Sequence, residues 1–203
     1  VKAPGEITHE RDEDPRPAAR EFASALDPLK EVDKFACALL QFPTSFKATD
    51  ANRGYLARLG EVFDGTPAVV EFRQRDWIGE ETFELLQSLG FGFCCVDQPQ
   101  FKSLIPPIAI ATSDIAYARF HGRNYEKWWH HDEAWERHDY LYTAEDLSEW
   151  VPKLKALDEQ RETQETYVYM NNTWSGQALS SARLLAGLLR DSGARVDALP
   201  ASE

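Results

Sequence analysis

The residues best suited to chemistry in this chain stand at the ends of short apolar runs. Glu71 and Arg73 follow AVV (68–70), and Asp97 follows FGFCCV (91–96). Arg119 and His121 close YARFH (117–121), and Asn171 and Asn172 follow TYVYM (166–170). Gln41 closes another run, and Lys2 follows the first valine, with Thr8 and His9 soon after. A carboxyl group among arginines is favoured in its ionised form, so Glu71 suits the role of base or nucleophile better than that of acid. Lys2, Arg73 and Arg119 can bind negative charge and stabilise an anion that develops during a reaction. His121 can shuttle a proton. His9, Gln41, Asn171 and Asn172 can hold and orient a polar ligand. Asp97 offers a second carboxylate, and two carboxylates at a suitable separation would serve glycosyl chemistry. Arg119, His121-Gly122-Arg123 and Asn171-Asn172 follow the last two runs, and Ser175-Gly176 leads into the final helix. Arginines, amides and free backbone N–H groups together make a site for phosphate, sulfate or carboxylate.

Strands must position these groups. The runs 35–42 (FACALLQF), 68–72 (AVVEF), 91–96 (FGFCCV), Ile115–Phe120 (IAYARF) and 166–170 (TYVYM) are rich in β-branched, aromatic and small residues and are bounded by turn signals. They lack a clean apolar/polar alternation, as parallel strands covered on both faces do. Val1-Lys2-Ala3 reads as the end of another strand. Helical patterns lie between the strands. Asp50 is expected to cap a helix carrying Tyr55, Leu56, Leu59 and Val62 on one face. Phe83, Leu86 and Leu89 stripe the next, which stops at Gly90. Thr143-x-x-Asp146 opens a capping box, and Leu147, Trp150, Val151, Leu154 and Leu157 follow at helical spacing. Leu179, Ala182, Ala186 and Leu189 mark a last helix ending near Gly193. Phe22, Ala25 and Leu26 lie on a helix that Asp27-Pro28 interrupts, the pair reading as cap and first residue of a second one.

Such a series implies a parallel sheet with helices outside it, and in such folds reactive groups gather at the carboxyl ends of the strands. Strand parity places Val69, Glu71 and Arg73 on one face, with Tyr117, Arg119 and His121, and with Tyr169 and Asn171. The opposite set, Val70 and Phe72, Ala118 and Phe120, Val168 and Met170, is apolar and suits contact with helices. Ions on the inner face need partners, so Glu71 is expected to form a network with Arg73 or Arg119.

The chain has 203 residues, 43% of them hydrophobic, and 22 Lys and Arg against 34 Asp and Glu, a net charge of −12. The balance is that of a globular protein. One domain is expected over 1–194, with a frayed tail over 195–203. No apolar run approaches the roughly 18 residues of a membrane span, and the negative charge argues against a nucleic-acid partner. Cys37, Cys94 and Cys95 lie inside apolar runs and read as buried small hydrophobes in a reducing compartment. The expected location is the cytoplasm.

Several segments, taken together and in order, also resemble a known family. VKAPGEITHE (1–10), LLQFPTSF (39–46), VEFRQRDW (70–77), YARFHGRN (117–124), YLYTAEDLSEWV (140–151) and YVYMNNTWSGQA (167–178) are similar to the YecE-like family, also called domain of unknown function 72. The likeness runs from Val1 to about Leu189. It implies a (β/α)8 TIM-type barrel whose biochemical activity is not established. Members begin with an upstream glycine-rich strand and a further strand bearing an asparagine segment. Neither is present here, so the expected fold is an α/β barrel without its first two βα units. That agrees with the five strands and one strand end counted above. The resemblance carries over Lys2 and His9, Gln41 with Pro43, Glu71 with Arg73 and Trp77, Arg119 with His121 and Gly122, and Asn171 with Asn172. Met170 stands where members often have phenylalanine.

Segment 122–142 holds Trp128, Trp129, Trp135, His130, His131, His138 and several acids. It reads as a covering loop whose rings stack on a sugar or a base, or seal the barrel mouth. A metal there would use His131, His138 and Asp132 or Asp139, and one elsewhere Glu71, Asp97 and His121. Neither spacing matches a metal motif, and no cofactor is expected. Trp77 and Trp150 read as packing residues. Gly-x-Gly-x-x-Gly, P-loop, Gly-x-Ser-x-Gly and Cys-x-x-Cys patterns do not occur, which leaves Rossmann, NTPase and serine-hydrolase chemistry without support. The expectation is an enzyme acting on a small polar or anionic substrate at the barrel mouth. Glu71, His121 and Arg119 would form its catalytic group, with Lys2, His9, Gln41, Arg73, Asp97, Arg123, Asn171 and Asn172 around the ligand. The alternatives are a noncatalytic ligand-binding or scaffold protein, marked by a plugged mouth with every ion paired, and a metal-assisted phosphoester hydrolase.

Overall fold

A computed structural model describes residues 1–160 and 163–197 of the chain. Five parallel strands form one sheet in sequence order: β1 (Ala38–Gln41), β2 (Ala68–Glu71), β3 (Phe91–Asp97), β4 (Ile115–Phe120) and β5 (Glu165–Met170). The expected N-terminal strand end is present as a single parallel bridge between Lys2 and Leu39. The Leu39 N–H donates to Val1 O at 2.7 Å and the Ala3 N–H to Leu39 O at 2.9 Å. A π-helical turn, Glu6–Glu10, then carries Ile7 and Thr8 into the interior.

Helices α1 (Arg16–Ala25) and α2 (Asp27–Glu31) precede β1, α3 (Asp50–Phe63) joins β1 to β2, and α4 (Glu80–Ser88) joins β2 to β3. Among the described residues the link from β3 to β4 has no helix; it is held by the Gln98 Nε2 bond to Ile105 O and the Thr112 Oγ1 bond to Phe91 O. Helices α5 (Ala144–Ser148) and α6 (Val151–Asp158) lie between β4 and β5, and α7 (Gln177–Asp191) follows β5. None of the described helices is long and apolar enough to cross a membrane.

Several expected boundaries shift for identifiable reasons. Thr49, not Asp50, caps α3, its hydroxyl accepting from Asn52 N at 3.3 Å. The expected 143–157 helix is two helices. The capping box at Thr143 forms, but α6 starts afresh with Pro152 in its first turn, where a missing N–H is harmless. Asp27 and Pro28 both lie inside α2, one position later in the helix than expected. On α7 Leu179 is 47% exposed and Ala182 and Leu189 are half-buried, while Ala186 is buried as expected, together with Ser181 and Leu185. Residues 195–197 carry no secondary structure, and the rest of the expected tail lies outside the described residues.

The register positions the site. Leu39 pairs with Val69 and Gln41 with Glu71; Cys94 pairs with Tyr117 and Val96 with Arg119, which itself pairs with Tyr169. These residues share the inner face. On the outer face Phe42, Phe46, Phe72 and Trp77 stack, with Phe72 and Trp77 centroids 4.3 Å apart, and Trp77 donates to Phe46 O. Phe120 packs similarly on Tyr142 and Trp150. Trp77 and Trp150 are therefore packing residues, and the three cysteines are buried and free.

Candidate functional site

Four side chains from the carboxyl ends of β2, β4 and β5 close a hydrogen-bonded ring. Arg119 Nη1 donates to Glu71 Oε2 at 2.5 Å, and Arg119 Nη2 donates to Asn171 Oδ1 at 2.9 Å. Asn171 Nδ2 lies 3.1 Å from His121 Nδ1, and His121 Nε2 lies 3.0 Å from Glu71 Oε1. The donors fix the remaining assignments. Arg119 can only donate, so the Asn171 oxygen faces it and the Asn171 amide N–H points to His121. His121 Nδ1 is then an acceptor, and Nε2 carries the proton that Glu71 receives. Glu71 and His121 are completely buried. Burial alone would favour a neutral Glu71, but Arg73 and Arg119 outweigh it and hold the carboxyl well below the usual range. Burial, with Arg73, lowers the His121 pKa to about 3, so the ring is neutral.

The ring satisfies its own members. Glu71 Oε1 also accepts from Arg73 Nη2 at 3.0 Å, and Cys94 Sγ lies 3.9 Å from Oε2. Both carboxylate oxygens and both imidazole nitrogens are engaged, which leaves neither Glu71 nor His121 a free lone pair or proton to offer a ligand. The arginines differ. Their side chains remain 14% (Arg73) and 11% (Arg119) exposed, and Arg73 also reaches Gln98 Oε1 at 3.3 Å. Lys2 is exposed, forms no ion pair among the described residues, and lies within the fields of Arg119, Glu71 and Arg73. Partial burial and Arg119 lower its pKa, against the pull of Glu71. His9 is exposed beside it, with Nδ1 2.8 Å from the buried Thr8 hydroxyl. Burial and the charge of Lys2 lower the His9 pKa. Gln41 is half-buried on the inner face in register with Glu71.

Three expected site residues lie elsewhere. Asp97 pairs in register with Phe120, on the helix-facing side of the sheet, not with Glu71. There it is fully buried and accepts from Arg123, Tyr142 OH and Trp150 Nε1. Arg123 is committed to Asp97, Asp146 and Glu149. Neither faces the ring, so the second carboxylate for glycosyl chemistry is missing from the inner face. Asn172 is buried and donates to Tyr140 O and Ser181 Oγ, bracing the loop against α7, while its Oδ1 has no donor among the described residues.

The sharp turn after His121 depends on Gly122, whose φ is +88°. A Cβ there would sit 2.9 Å from Tyr140 Cβ, and the Gly122 N–H donates to Tyr142 OH. Gly122→Ala should cost about 1–3 kcal/mol from the strained backbone and the clash. Thermal denaturation measures it; an unchanged midpoint would mean that the turn relaxes freely.

Segment 122–142 does cover this end of the sheet. Trp128 is buried edge-on to His138. Exposed Trp135 and Trp174 stack at 3.7 Å, and Phe101 packs near Tyr125 and Trp129. The suggested metal sets do not converge, and among the described residues no group of three His, Cys, Asp or Glu could hold an ion. His131 Nδ1 turns to Lys127 O and Asp139 accepts from Gln177. In the sequence His138 stands out only as part of a covering loop or as a metal ligand. The structure places it at the ring, its Nδ1 2.8 Å from His121 O. A cavity of about 460 Å³ opens at the opposite, amino ends of the strands, lined by Lys34, Phe35, Pro67, Asp114, Gln164 and Tyr167 among others.

The sequence model of a family described as "Protein of unknown function DUF72" matches residues 1–203. The chain is similar to the crystal structure of a DUF72 family protein from Thermotoga maritima MSB8, with 38% identity and a TM-score of 0.86 over 94% of this chain and 72% of that one. Crystal structures of a DUF72 family protein from Enterococcus faecalis V583 share the fold at 24% and 23% identity, with TM-scores of 0.80 and 0.76. They are covered to 76% and 72%, by 100% and 92% of this chain. No curated protein matches it.

Proposed function

The chain belongs to the DUF72 family, and on that footing we propose that it binds and acts on a small anionic substrate at the carboxyl ends of its strands. The carrying observation is local charge. Lys2, Arg73 and Arg119 face one carboxylate, Glu71, in a protein whose net charge is −12. Such an excess of fixed cations attracts an anion and stabilises charge that develops on it. In this reading Glu71 and His121 are positioning residues that hold the arginines. Arg119, Arg73 and Lys2 meet the ligand, and His9 and Gln41 stand at its edge. The sheet is read as the major part of a (β/α)8 barrel, with two further βα units between β5 and the Lys2 segment. Its support is the strand order, with β5 and the Lys2 segment at the two ends of the sheet.

A noncatalytic scaffold is the second reading, favoured by the complete pairing of Glu71 and the burial of Trp128. Calorimetry with inorganic phosphate separates the two. Phosphate should bind, and Lys2→Gln should weaken it about tenfold, roughly 1.4 kcal/mol, the worth of one charge-assisted contact. Lys2 is exposed, so this variant keeps the fold. No binding of phosphate, sulfate or a small carboxylate by the wild-type protein would sink the anion reading and favour the scaffold.

A further inference from the structure

The ring contains no group able to exchange a proton with a ligand, yet one lies directly against it. His138 stands at the end of a 3₁₀ turn, Glu136–His138, in the loop that covers the ring. Its Nδ1 is 2.8 Å from the carbonyl oxygen of His121. A carbonyl only accepts, so Nδ1 carries the hydrogen and the neutral ring keeps a bare lone pair on Nε2. Among the described residues Nε2 has no hydrogen-bond partner, and it is not one of their sealed, unpartnered atoms. The side chain is half-buried between Trp128 and His121, with ring centroids 6.1 and 5.8 Å away. Arg137 on its own turn, Arg73 after β2 and Arg119 on β4 all act on it electrostatically.

We propose that His138, through Nε2, is the proton-accepting group of the anion site. The inference rests on the anion reading above and replaces His121 in the shuttle role. The step is a plain transfer: an acidic O–H of the bound substrate breaks, its proton joins the Nε2 lone pair, and the electron pair stays on the substrate oxygen. The Nδ1–H bond to His121 O then supports the imidazolium. Burial, with Arg137, Arg73 and Arg119, lowers the His138 pKa to about 4. The base is therefore neutral and ready at neutral pH, and a bound anion offsets the cations that hold the pKa down.

Sulfate tests this, because it has no proton of its own to gain or lose near neutrality. An anion in contact raises an imidazole pKa by roughly 1–3, so sulfate binding near pH 6 should take up roughly half a proton per site. Calorimetry in buffers of different ionisation enthalpy reads that uptake. In His138→Asn the amide can still donate to His121 O while Nε2 is removed; with His9→Gln in both proteins to remove the other imidazole at the ligand's edge, the uptake should vanish with sulfate still bound. Sulfate binding with no uptake, or with uptake that persists in His138→Asn, overturns the His138 role and leaves the anion reading standing. No sulfate binding by the wild-type protein overturns the His138 role, and failure of phosphate and a small carboxylate to bind as well overturns the anion reading with it. A second measurement does not depend on the variant folding. Diethyl pyrocarbonate should modify His138 faster than His121 in the free wild-type protein, and bound sulfate should slow it. Equal or reversed rates for the two histidines overturn the proposal.

Discussion

Glu71→Gln should lower the stability of the folded protein by about 3–5 kcal/mol, the cost of breaking a buried ion pair from one side. For a chain of this size that is a fall in midpoint of roughly 6–20 °C. The substitution keeps the shape and removes the charge. Gln can leave one oxygen toward Arg73 and His121, but its amide N–H₂ then meets the Arg119 Nη1 donor at the 2.5 Å contact. Arg73 and Arg119 have no other carboxylate within ion-pair distance among the described residues. Their residual exposure lets water relieve part of the loss. Urea unfolding at neutral pH is the measurement, and a loss under about 1 kcal/mol, the worth of an exposed pair, would mean that the arginines find other partners.

The same network sets the acid limit of the fold. The folded pKa of Glu71 is depressed, so its contribution is present above about pH 4.3, the unfolded value, and is lost as pH falls from there. His121 and His138 are held neutral, with folded values of about 3 and about 4. In the unfolded chain they protonate near pH 6.5. Their share of stability is therefore complete above that pH and declines as the solution is acidified toward the folded values.

Most of this network is legible in the chain because the polar residues at the ends of β2, β4 and β5 share the parity of an inner-face neighbour. Glu71, Arg119 and Asn171 each stand two residues from an inner-face neighbour, with an apolar residue between. β3 departs from that pattern, since FGFCCVD has no polar residue before Asp97, which therefore reads as one more rim residue. The signal that was missed is the pair of phenylalanines. Phe91 and Phe93 face the helices, as Phe72 and Phe120 do, and Asp97 has their parity. Small Gly92 and Cys94 take the inner positions; a Cβ on Gly92 would stand 3.0 Å from Val69 Cγ2 and 3.1 Å from Ile115 O. His138 left no such trace. It sits in an irregular loop with no periodicity, and only the backbone path brings it under the His121 carbonyl. Thr49 and Asp50 are adjacent side chains that can both cap, so the start of α3 shifts by one residue, and Pro152 divides the 143–157 stretch into two helices.

Asp97→Asn separates the two faces of the sheet. Asp97 accepts from Arg123 Nη2 at 2.7 Å, Tyr142 OH at 2.6 Å and Trp150 Nε1 at 2.6 Å, and so fastens the start of α5 and α6 to the ends of β3 and β4. In the variant one carboxylate oxygen becomes an N–H₂ group facing donors, and at least one of them is left unsatisfied in the interior. The expected loss is about 2–4 kcal/mol. It should be smaller than for Glu71→Gln, because Arg123 keeps the carboxylates of Asp146 and Glu149, whereas among the described residues Arg73 and Arg119 keep only the neutral amides of Gln98 and Asn171. The phosphate affinity of the folded fraction should not change, since Asp97 lies behind the strand that carries Arg119. Urea unfolding and phosphate calorimetry on the same preparation measure both. A stable Asp97→Asn protein that no longer binds phosphate would return Asp97 to the ligand site and reverse the assignment of the two faces at β3.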